Sequence, residues 1–364
     1  MQKRKQKVAI AMSGGVDSSV AAFLLKKQGY DVFGIFMKFW ADEAQKAENA
    51  CCSYKSFLDA KKIADKIEIP LYTVNFKEDF KKIIVDDFIS QYKNCITPNP
   101  CVACNKYIKF DLLLQKAKSL GADFLATGHY VKITKGKNGI YHLLKSKDKE
   151  KDQSYFLYNL KQEQLKYLLF PVSGFRKSEV KEIAKENKLE VYKKPESQEI
   201  CFVSDNNLDL FLKKYLKINN GNIIDINNKK IIGTHQGLPL YTIGQRKGIG
   251  LSGGPYYVVS KDKKKNILFV TNKKNDPKLF FNQLEISKVN FISDKKQKFP
   301  QEVKVKIRYR AKEVLGILKK EKNKYILQFS KPVLAATKGQ SAVFYKKQEV
   351  VGGGIIKSCK KEKT

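Results

Sequence analysis

The chain has 364 residues and a formal net charge of +35, from 71 Lys and Arg against 36 Asp and Glu. Its hydrophobic content of 42% excludes global disorder, and its length indicates two domains or one domain with smaller additions. No window approaches about 18 uncharged apolar residues, so we expect no membrane span. Because a strand-like run already begins near Val8, we expect no signal peptide and a cytoplasmic location.

The basic charge is concentrated at the end of the chain. Residues 286–364 carry 21 basic and 6 acidic side chains, a net charge of +15. This distribution favours a nucleic-acid partner, because each phosphate that is neutralised releases counterions; the alternative is a solvated lysine-rich surface. Seven cysteines in a reducing compartment indicate catalytic, metal or redox roles.

The first 130 residues alternate strand and helix signals. The patterns predict strands at residues 7–12, 31–39, 71–76 and 123–127. They predict helices at residues 18–28, 53–66, 77–92 and 105–119. Such alternation implies right-handed crossovers. We therefore expect a Rossmann-like, doubly wound parallel sheet with helices on both faces.

The pattern changes after Gly128. A hairpin is predicted from residues 130–133 and 140–144, followed by two helical segments that end near residue 189. Short strands follow from about residue 205, including 302–310, 325–329, 341–345 and 350–356, and they predict a small β-barrel. We expect an α/β domain (1–205), a small central domain (206–285) and a basic barrel (286–364).

A glycine-rich loop follows the first strand. The sequence Ser13-Gly14-Gly15-Val16-Asp17-Ser18-Ser19 lies between a strand and a helix, where glycine permits close backbone approach and the helix N-terminus attracts phosphate. The lysine of the ordinary P-loop is missing. The loop instead resembles the PP-loop of ATP pyrophosphatases, which implies ATP cleaved between its α and β phosphates, with Asp17 near the phosphates and Mg²⁺. The alternative is an accidental turn in which Asp17 or Ser18 caps the helix.

Two cysteine sites follow the loop. Cys101 and Cys104 lie in NPCVACN, where a loop meets a predicted helix, so we expect Cys104 to have thiolate character. Cys201 follows a polar turn in PESQEICF. Ligands bind at the carboxyl edge of open α/β sheets, and Cys104 and Cys201 could meet there.

Seven motifs occur in an order that resembles the tRNA-specific 2-thiouridylases over essentially the whole chain: SGGVDSS, TPNPCVACNKYIKFD, TGHY, KDQSYFL, SQEICF, TIGQRKGIG and RYR. The resemblance implies adenylation of the C2 oxygen of the wobble uridine. Sulfur then comes from a persulfide on Cys201, with Cys104 as nucleophile, and a Cys104–Cys201 disulfide is left for reduction. The implied partners are tRNAs for Lys, Glu and Gln and a persulfide donor such as a cysteine desulfurase or sulfur-relay protein.

The resemblance also implies contacts for ATP and RNA. The ATP-binding residues would be Ala11, Met12, Ser13, Gly14, Gly15, Val16, Asp17, Ser18, Met37 and Gly128. The tRNA-binding residues would be Asn99, Pro100, Cys101, His129, Lys151, Asp152, Gln153, Arg308, Tyr309 and Gln340. Read without the resemblance, His129 is more often structural and Lys151 and Asp152 are surface charges. Arg308 and Arg310 alternate with Tyr309 on a predicted strand, so one face of that strand would meet RNA.

Cys101 departs from the family, many of whose members have Asp at this position. The resulting Cys-x-x-Cys pair permits a resting Cys101–Cys104 disulfide. It also permits an iron–sulfur cluster on Cys101, Cys104 and Cys201 that would carry the sulfur in place of a persulfide. No role is assigned to Cys51, Cys52, Cys95 or Cys359.

Two other functions compete with 2-thiolation. One is a different PP-loop RNA thiolase, such as a 4-thiouridine or 2-thiocytidine synthase, although those lack the pairing of NPCVACN with SQEICF. The other is a basic RNA-binding protein without turnover, against which the intact loop and both cysteines argue.

Overall fold

The structure is a computed structural model that describes residues 4–42, 53–194, 200–203, 207–293 and 295–361. Up to residue 170 it contains seven strands: β1 (Lys7–Ala11), β2 (Asp31–Lys38), β3 (Leu71–Asn75), β4 (Phe124–Ala126), β5 (Val131–Lys135), β6 (Tyr141–Lys145) and β7 (Leu168–Leu169). Five of them form one parallel sheet in the order β3-β2-β1-β4-β7. The predicted parallel sheet is confirmed, with an additional edge strand, β7, that the sequence pattern does not indicate.

Helices connect these strands and continue into the next domain. They are α1 (Val16–Lys27), α2 (Tyr54–Lys66), α3 (Lys77–Phe80), α4 (Asp86–Lys93), α5 (Pro100–Ala103), α6 (Leu113–Ser119), α7 (Gln162–Leu165), α8 (Lys177–Glu186) and α9 (Leu208–Tyr215). Two π-helical segments join neighbouring helices: Lys81–Val85 joins α3 to α4, and Cys104–Leu112 joins α5 to α6. None of the helices that the structure describes is long and apolar enough to cross a membrane.

Both faces of the parallel sheet are buried. Along β1, Val8 and Ile10 belong to the hydrophobic cluster that contains α1, whereas Ala9 and Ala11 belong to a second cluster on the other face. Successive residues of a strand point to opposite faces, so β1 is a central strand covered on both sides. This is the arrangement expected of a doubly wound domain.

A small mixed sheet follows, in the order β10-β11-β8-β9, built from β8 (Gly221–Asp225), β9 (Ile231–His235), β10 (Tyr257–Asp262) and β11 (Ile267–Thr271). The last six strands are β12 (Phe280–Phe291), β13 (Gln301–Lys306), β14 (Val314–Glu321), β15 (Lys324–Leu334), β16 (Ser341–Lys346) and β17 (Glu349–Lys360). They pair in the order β12-β15-β14-β13-β16-β17, and β17 pairs back with β12. The predicted C-terminal barrel is therefore confirmed and is closed by six strands.

The barrel is joined directly to the nucleotide-binding domain. The predicted hairpin is formed by β5 and β6, and β6 continues the barrel sheet by pairing with β17, where Leu143 lies opposite Val350. Leu143 and Val350 are both fully buried. The hairpin thus belongs by sequence to the first domain and by hydrogen bonding to the barrel.

Candidate functional site

The glycine-rich loop connects β1 to α1 at the carboxyl edge of the parallel sheet. Gly14 has φ +68°, and a Cβ there would lie 2.2 Å from the carbonyl oxygen of Ser56, so only glycine fits. Gly15 is the N-cap residue of α1 and provides no side chain to cap it. The first-turn N–H groups of α1 are therefore available to an anion, which fits the binding of a nucleotide phosphate.

The other predicted nucleotide contacts lie at the same edge. Ala11 ends β1, Met37 is the penultimate residue of β2, and Gly128 follows β4. A Cβ on Gly128 would lie 2.7 Å from both the carbonyl carbon of Asp17 and the amide nitrogen of Ser18. The end of β4 thus contacts the first turn of α1, and the structure brings the predicted nucleotide-binding residues together.

Asp17 has two partners that the sequence does not indicate. Its Oδ1 accepts hydrogen bonds from the Tyr130 hydroxyl at 2.7 Å and from Lys177 Nζ at 2.6 Å. Lys177 is the first residue of α8 and is buried. The ion pair holds the Lys177 ammonium at the first turn of α1. An ordinary P-loop also has a lysine at this point, but that lysine belongs to the sequence of the loop itself. Lys177 is separated from the loop by 160 residues, and spacing rules therefore do not detect it.

A second lysine contacts the loop from another part of the chain. Lys194 Nζ donates to the Gly14 carbonyl at 3.2 Å, to Ser56 Oγ at 3.3 Å and to the Asp59 carboxylate at 2.8 Å. Lys194 lies seven residues before Cys201. The nucleotide loop is therefore connected to the chain that leads to the second cysteine site.

The helix that carries the first cysteines begins earlier than predicted. The sequence places its start at residue 105, whereas α5 begins at Pro100. Proline is tolerated in the first turn, and the Asn99 side chain accepts from the Val102 N–H at 3.3 Å. Cys101 therefore lies in the first turn and is exposed, whereas Cys104 is buried at the start of the π-helical segment. The expectation that Cys104 lies at the helix N-terminus is wrong.

Cys104 and Cys201 both pack in one extended hydrophobic cluster, which runs from one face of the parallel sheet into the central domain. Cys104 is buried in this cluster, and the half-buried Cys201 packs against it. Residues 195–199, including the first three residues of the SQEICF motif, lie outside the described residues, as do Cys51 and Cys52. Within the described ranges, no group of three or more His, Cys, Asp or Glu side chains is placed to hold a metal ion. The disulfide and the cluster both stay predictions.

Thr97, in the loop before α5, contacts both of the other domains. The Thr97 N–H donates to the Lys338 carbonyl in the barrel, and the Thr97 hydroxyl lies 3.2 Å from the hydroxyl of Thr242 in the central domain. Gln340 Nε2 donates to the carbonyls of Thr97 and Pro98 at 3.1 and 2.9 Å. The barrel and the central domain therefore position the start of the helix that carries Cys101 and Cys104.

Arg308 also joins two domains. Its guanidinium donates to the Ile243 carbonyl of the central domain and to the Ala335 carbonyl and Thr337 hydroxyl of the barrel. The prediction that Arg308 and Arg310 alternate on a strand is wrong, because β13 ends at Lys306 and both lie in the following turn. Tyr309 packs against Phe156, with ring centroids 4.5 Å apart. Arg308 binding to RNA stays a prediction beside this observed interdomain contact.

The surroundings of His129 favour the neutral form of its imidazole. It packs against the rings of Phe110 and Phe170, and its Nδ1 lies 2.7 Å from the Thr127 hydroxyl. Burial, with a smaller effect of the positive charge on Lys109, lowers the pKa of His129 well below its ordinary value. A contact between His129 and RNA would therefore be a hydrogen bond and not an ion pair with a phosphate.

The predicted RNA contacts at 151–153 lie in a tightly bonded loop. Asp152 is buried and accepts from the Ser146 N–H and the Ser154 hydroxyl. Gln153 pairs with Tyr130 through both its backbone N–H and its side-chain oxygen, each at 2.9 Å. The loop is thereby attached to the residue that contacts Asp17. The Asp152 carboxylate stabilises this loop, and its binding to RNA stays a prediction.

The fold and the site define a PP-loop type of nucleotide-binding α/β protein, with two cysteines on one hydrophobic cluster and a basic barrel attached. Three family models match consecutive parts of the chain: the tRNA methyl transferase HUP domain at residues 6–205, the tRNA methyl transferase PRC-barrel domain at 209–272 and the aminomethyltransferase beta-barrel domain at 281–356.

Full-length relatives give the particular family. The chain is 47% identical over 360 residues to the tRNA-specific 2-thiouridylase MnmA of Clostridium perfringens, covering 97% of this chain and 99% of that protein. The protein of the same name from Clostridium acetobutylicum is 47% identical over 358 residues, covering 97% and 99%. MnmA 2 of Thermoanaerobacter sp. is 49% identical over 358 residues, covering 96% and 97%. The chain belongs to the family of tRNA-specific 2-thiouridylases.

Proposed function

We propose that this chain catalyses the ATP-dependent 2-thiolation of the wobble uridine, position 34, of tRNA. The proposal is carried by one combination within a full-length family match. Helix α1 begins after the glycine-rich loop without a side-chain cap, and Cys104 and Cys201 pack in one hydrophobic cluster. The three full-length relatives, all tRNA-specific 2-thiouridylases, favour thiolation over the methyl transferase names of the matching domains. We propose that the reaction takes place in the cytoplasm.

ATP binding is assigned to the loop and its neighbours. The N–H groups at the start of α1 receive phosphate. Gly14 and Gly128 let the loop pack closely against the backbone of Ser56 and of the first turn of α1. Asp17 fits a role in holding Mg²⁺ near the phosphates, although it now pairs with Lys177. When bound, Mg²⁺ would neutralise charge on the phosphates.

The reaction has two steps, adenylation of the uridine and transfer of sulfur to C2. The uridine O2 attacks the α-phosphorus of ATP, and pyrophosphate leaves. The terminal sulfur of a Cys201 persulfide then bonds to C2, and the C2–O bond breaks to release AMP. The Cys104 thiolate attacks the inner sulfur of Cys201, so the electron pair of the broken S–S bond stays with the transferred sulfur. The resulting Cys104–Cys201 disulfide requires an external thiol reductant.

RNA recognition is assigned to the three domains together, with the bounds 1–205, 206–285 and 286–364. Asn99 to Cys101 would surround the flipped base, because C2 is inaccessible within the anticodon stack. His129, Lys151 to Gln153, Arg308, Tyr309 and Gln340 would form further contacts. We propose the tRNAs for Lys, Glu and Gln as substrates and a cysteine desulfurase or sulfur-relay protein as the donor.

The test compares adenylation with sulfur transfer. We expect unmodified tRNA to stimulate pyrophosphate release in both the wild type and Cys201→Ser, and thiolation to be lost only in Cys201→Ser. Cys359→Ser is the matched control, since Cys359 lies in the barrel and donates to the Ala336 carbonyl. A lack of tRNA-stimulated release would contradict the proposal. Stoichiometric iron and sulfide in the anaerobically purified protein would show that an iron–sulfur cluster, and not a persulfide, carries the sulfur.

A further inference from the structure

An aromatic side chain stays exposed on the helical segment that carries Cys104. Tyr107 follows Cys104 by three residues and is 38% exposed, whereas Cys104 and Ile108 are buried. The segment is π-helical, with hydrogen bonds that join residues i and i+5, so three residues are less than one turn. The fold therefore presents a tyrosine ring to solvent within one turn of a proposed catalytic cysteine.

Tyr107 lies on the side of this segment that faces the barrel. Burial raises the pKa of the Tyr158 phenol, and the charge of an ionised Tyr107 adds a smaller effect, which places the two side chains close together. The Tyr158 hydroxyl accepts a hydrogen bond from Ser341 Oγ at 3.2 Å, and Ser341 begins β16 directly after Gln340. Tyr107 is therefore near the barrel residues that include the proposed RNA contact Gln340.

A second contact leads from the same segment to another proposed RNA contact. Asn105 is buried, and its Nδ2 donates to the Phe156 carbonyl at 3.4 Å. The ring of Phe156 packs in turn against Tyr309. The segment that presents Tyr107 therefore also supports Tyr309.

Positive charge accompanies the exposed ring. Lys106 Nζ lies 4.9 Å from the centroid of the Tyr107 ring, and Lys109 acts through its charge on His129. An exposed ring beside a cation suits single-stranded nucleic acid, because the ring stacks on a base and the cation neutralises a phosphate. The net charge of +35 favours the same polyanionic occupant.

We propose that Tyr107 and Lys106 form a stacking site for a base of the anticodon loop that neighbours the target uridine. Flipping the target base out of the stack leaves each neighbour without one stacking partner, and the Tyr107 ring supplies a replacement. The Lys106 ammonium binds the phosphate of the same nucleotide. Because every base has a π-face, the site holds the loop without reading the identity of the neighbouring base. The inference deepens the proposed function and rests on it for the identity of the RNA.

The test uses an anticodon stem-loop RNA that carries the fluorescent base 2-aminopurine at position 33 or at position 35. Since stacking quenches this base, we expect the bound RNA to be dimmer with the wild type than with Tyr107→Ala at one of the two positions. Tyr107→Ala and Tyr107→Leu both remove the ring, and each should raise the Kd for the stem-loop roughly fivefold to 150-fold. Tyr107→Phe keeps the ring and should keep both the quenching and the affinity.

Two further variants separate stacking from other effects. Tyr72→Ala removes a more exposed ring, 47% exposed, from the edge strand β3 and should match the wild type. Lys106→Met should reduce the slope of log Kd against log salt by about 0.7, the value for one phosphate of a single strand.

Wild-type fluorescence and a wild-type Kd in both Tyr107→Ala and Tyr107→Leu would overturn the stacking site. A wild type that does not bind the stem-loop would overturn the stacking site and the proposed function together. Because binding needs neither ATP nor a sulfur donor, a wild type that binds the stem-loop but does not thiolate tRNA contradicts the proposed function alone.

Discussion

Replacing Gly128 by alanine tests whether the end of β4 closes the nucleotide loop. The added Cβ would lie 2.7 Å from two backbone atoms, the Asp17 carbonyl carbon and the Ser18 nitrogen. Backbone cannot move aside as a flexible side chain can, so the first turn of α1 must shift. Overpacking of this kind costs about 1–3 kcal/mol. If that cost falls on the nucleotide-bound form, ATP affinity decreases by roughly fivefold to 150-fold.

The assay for Gly128→Ala is the dependence of pyrophosphate release on ATP concentration. The control is Gly174→Ala, because a Cβ on Gly174 meets no atom within 4 Å. We expect Gly174→Ala to match the wild type, and Gly128→Ala to have a raised KM for ATP or a reduced free energy of unfolding. Wild-type values of both quantities in Gly128→Ala would refute the close approach of β4 to α1.

Two further substitutions test a contact between domains and the effect of a buried charge. Gln340→Ala removes two hydrogen bonds to the carbonyls of Thr97 and Pro98, each worth about 0.5–1.5 kcal/mol. We expect kcat for thiolation to fall about tenfold and, since Gln340 is also a proposed RNA contact, the tRNA Kd measured by filter binding to rise. An unchanged Kd would remove Gln340 from the RNA contacts, and an unchanged kcat would contradict its role in positioning the loop. Burial lowers the pKa of Lys261 from 10.5 to about 8; the unfolded chain therefore holds more protons between those pH values, and stability rises across that range. At pH 7 the buried Lys261 ammonium is charged and destabilises the folded state, so the free energy of unfolding of Lys261→Met should exceed that of the wild type by about 2 kcal/mol. In urea unfolding this difference should shrink as the pH rises towards 10.5. A difference that does not depend on pH would contradict the lowered pKa of Lys261.

The parallel sheet could be predicted because its signals are local. Short apolar runs alternate with helical spacing from Lys7 to Thr127, and the glycines at 14 and 15 mark the phosphate loop. The barrel was recognisable from its short strands, but its closure by β12 was not. Closure depends on pairing between β12 and β17, which lie far apart in the sequence and have no spacing signal.

The site was less predictable because its decisive contacts are long-range. Nothing near Asp17 in the sequence indicates Lys177, and Gly14 gives no indication of Lys194. The sequence also predicts Arg308 on a strand that meets RNA, whereas the fold uses its guanidinium to join the central domain to the barrel. Such roles depend on tertiary packing, which a single sequence does not display.

The most direct test of the account is nucleoside mass analysis of tRNA after reaction with ATP and a persulfide donor. We expect 2-thiouridine at position 34, with one AMP and one pyrophosphate formed for each sulfur transferred. Sulfur on C4 of a uridine, or on a cytidine, would contradict the account and assign the chain to a different RNA thiolation.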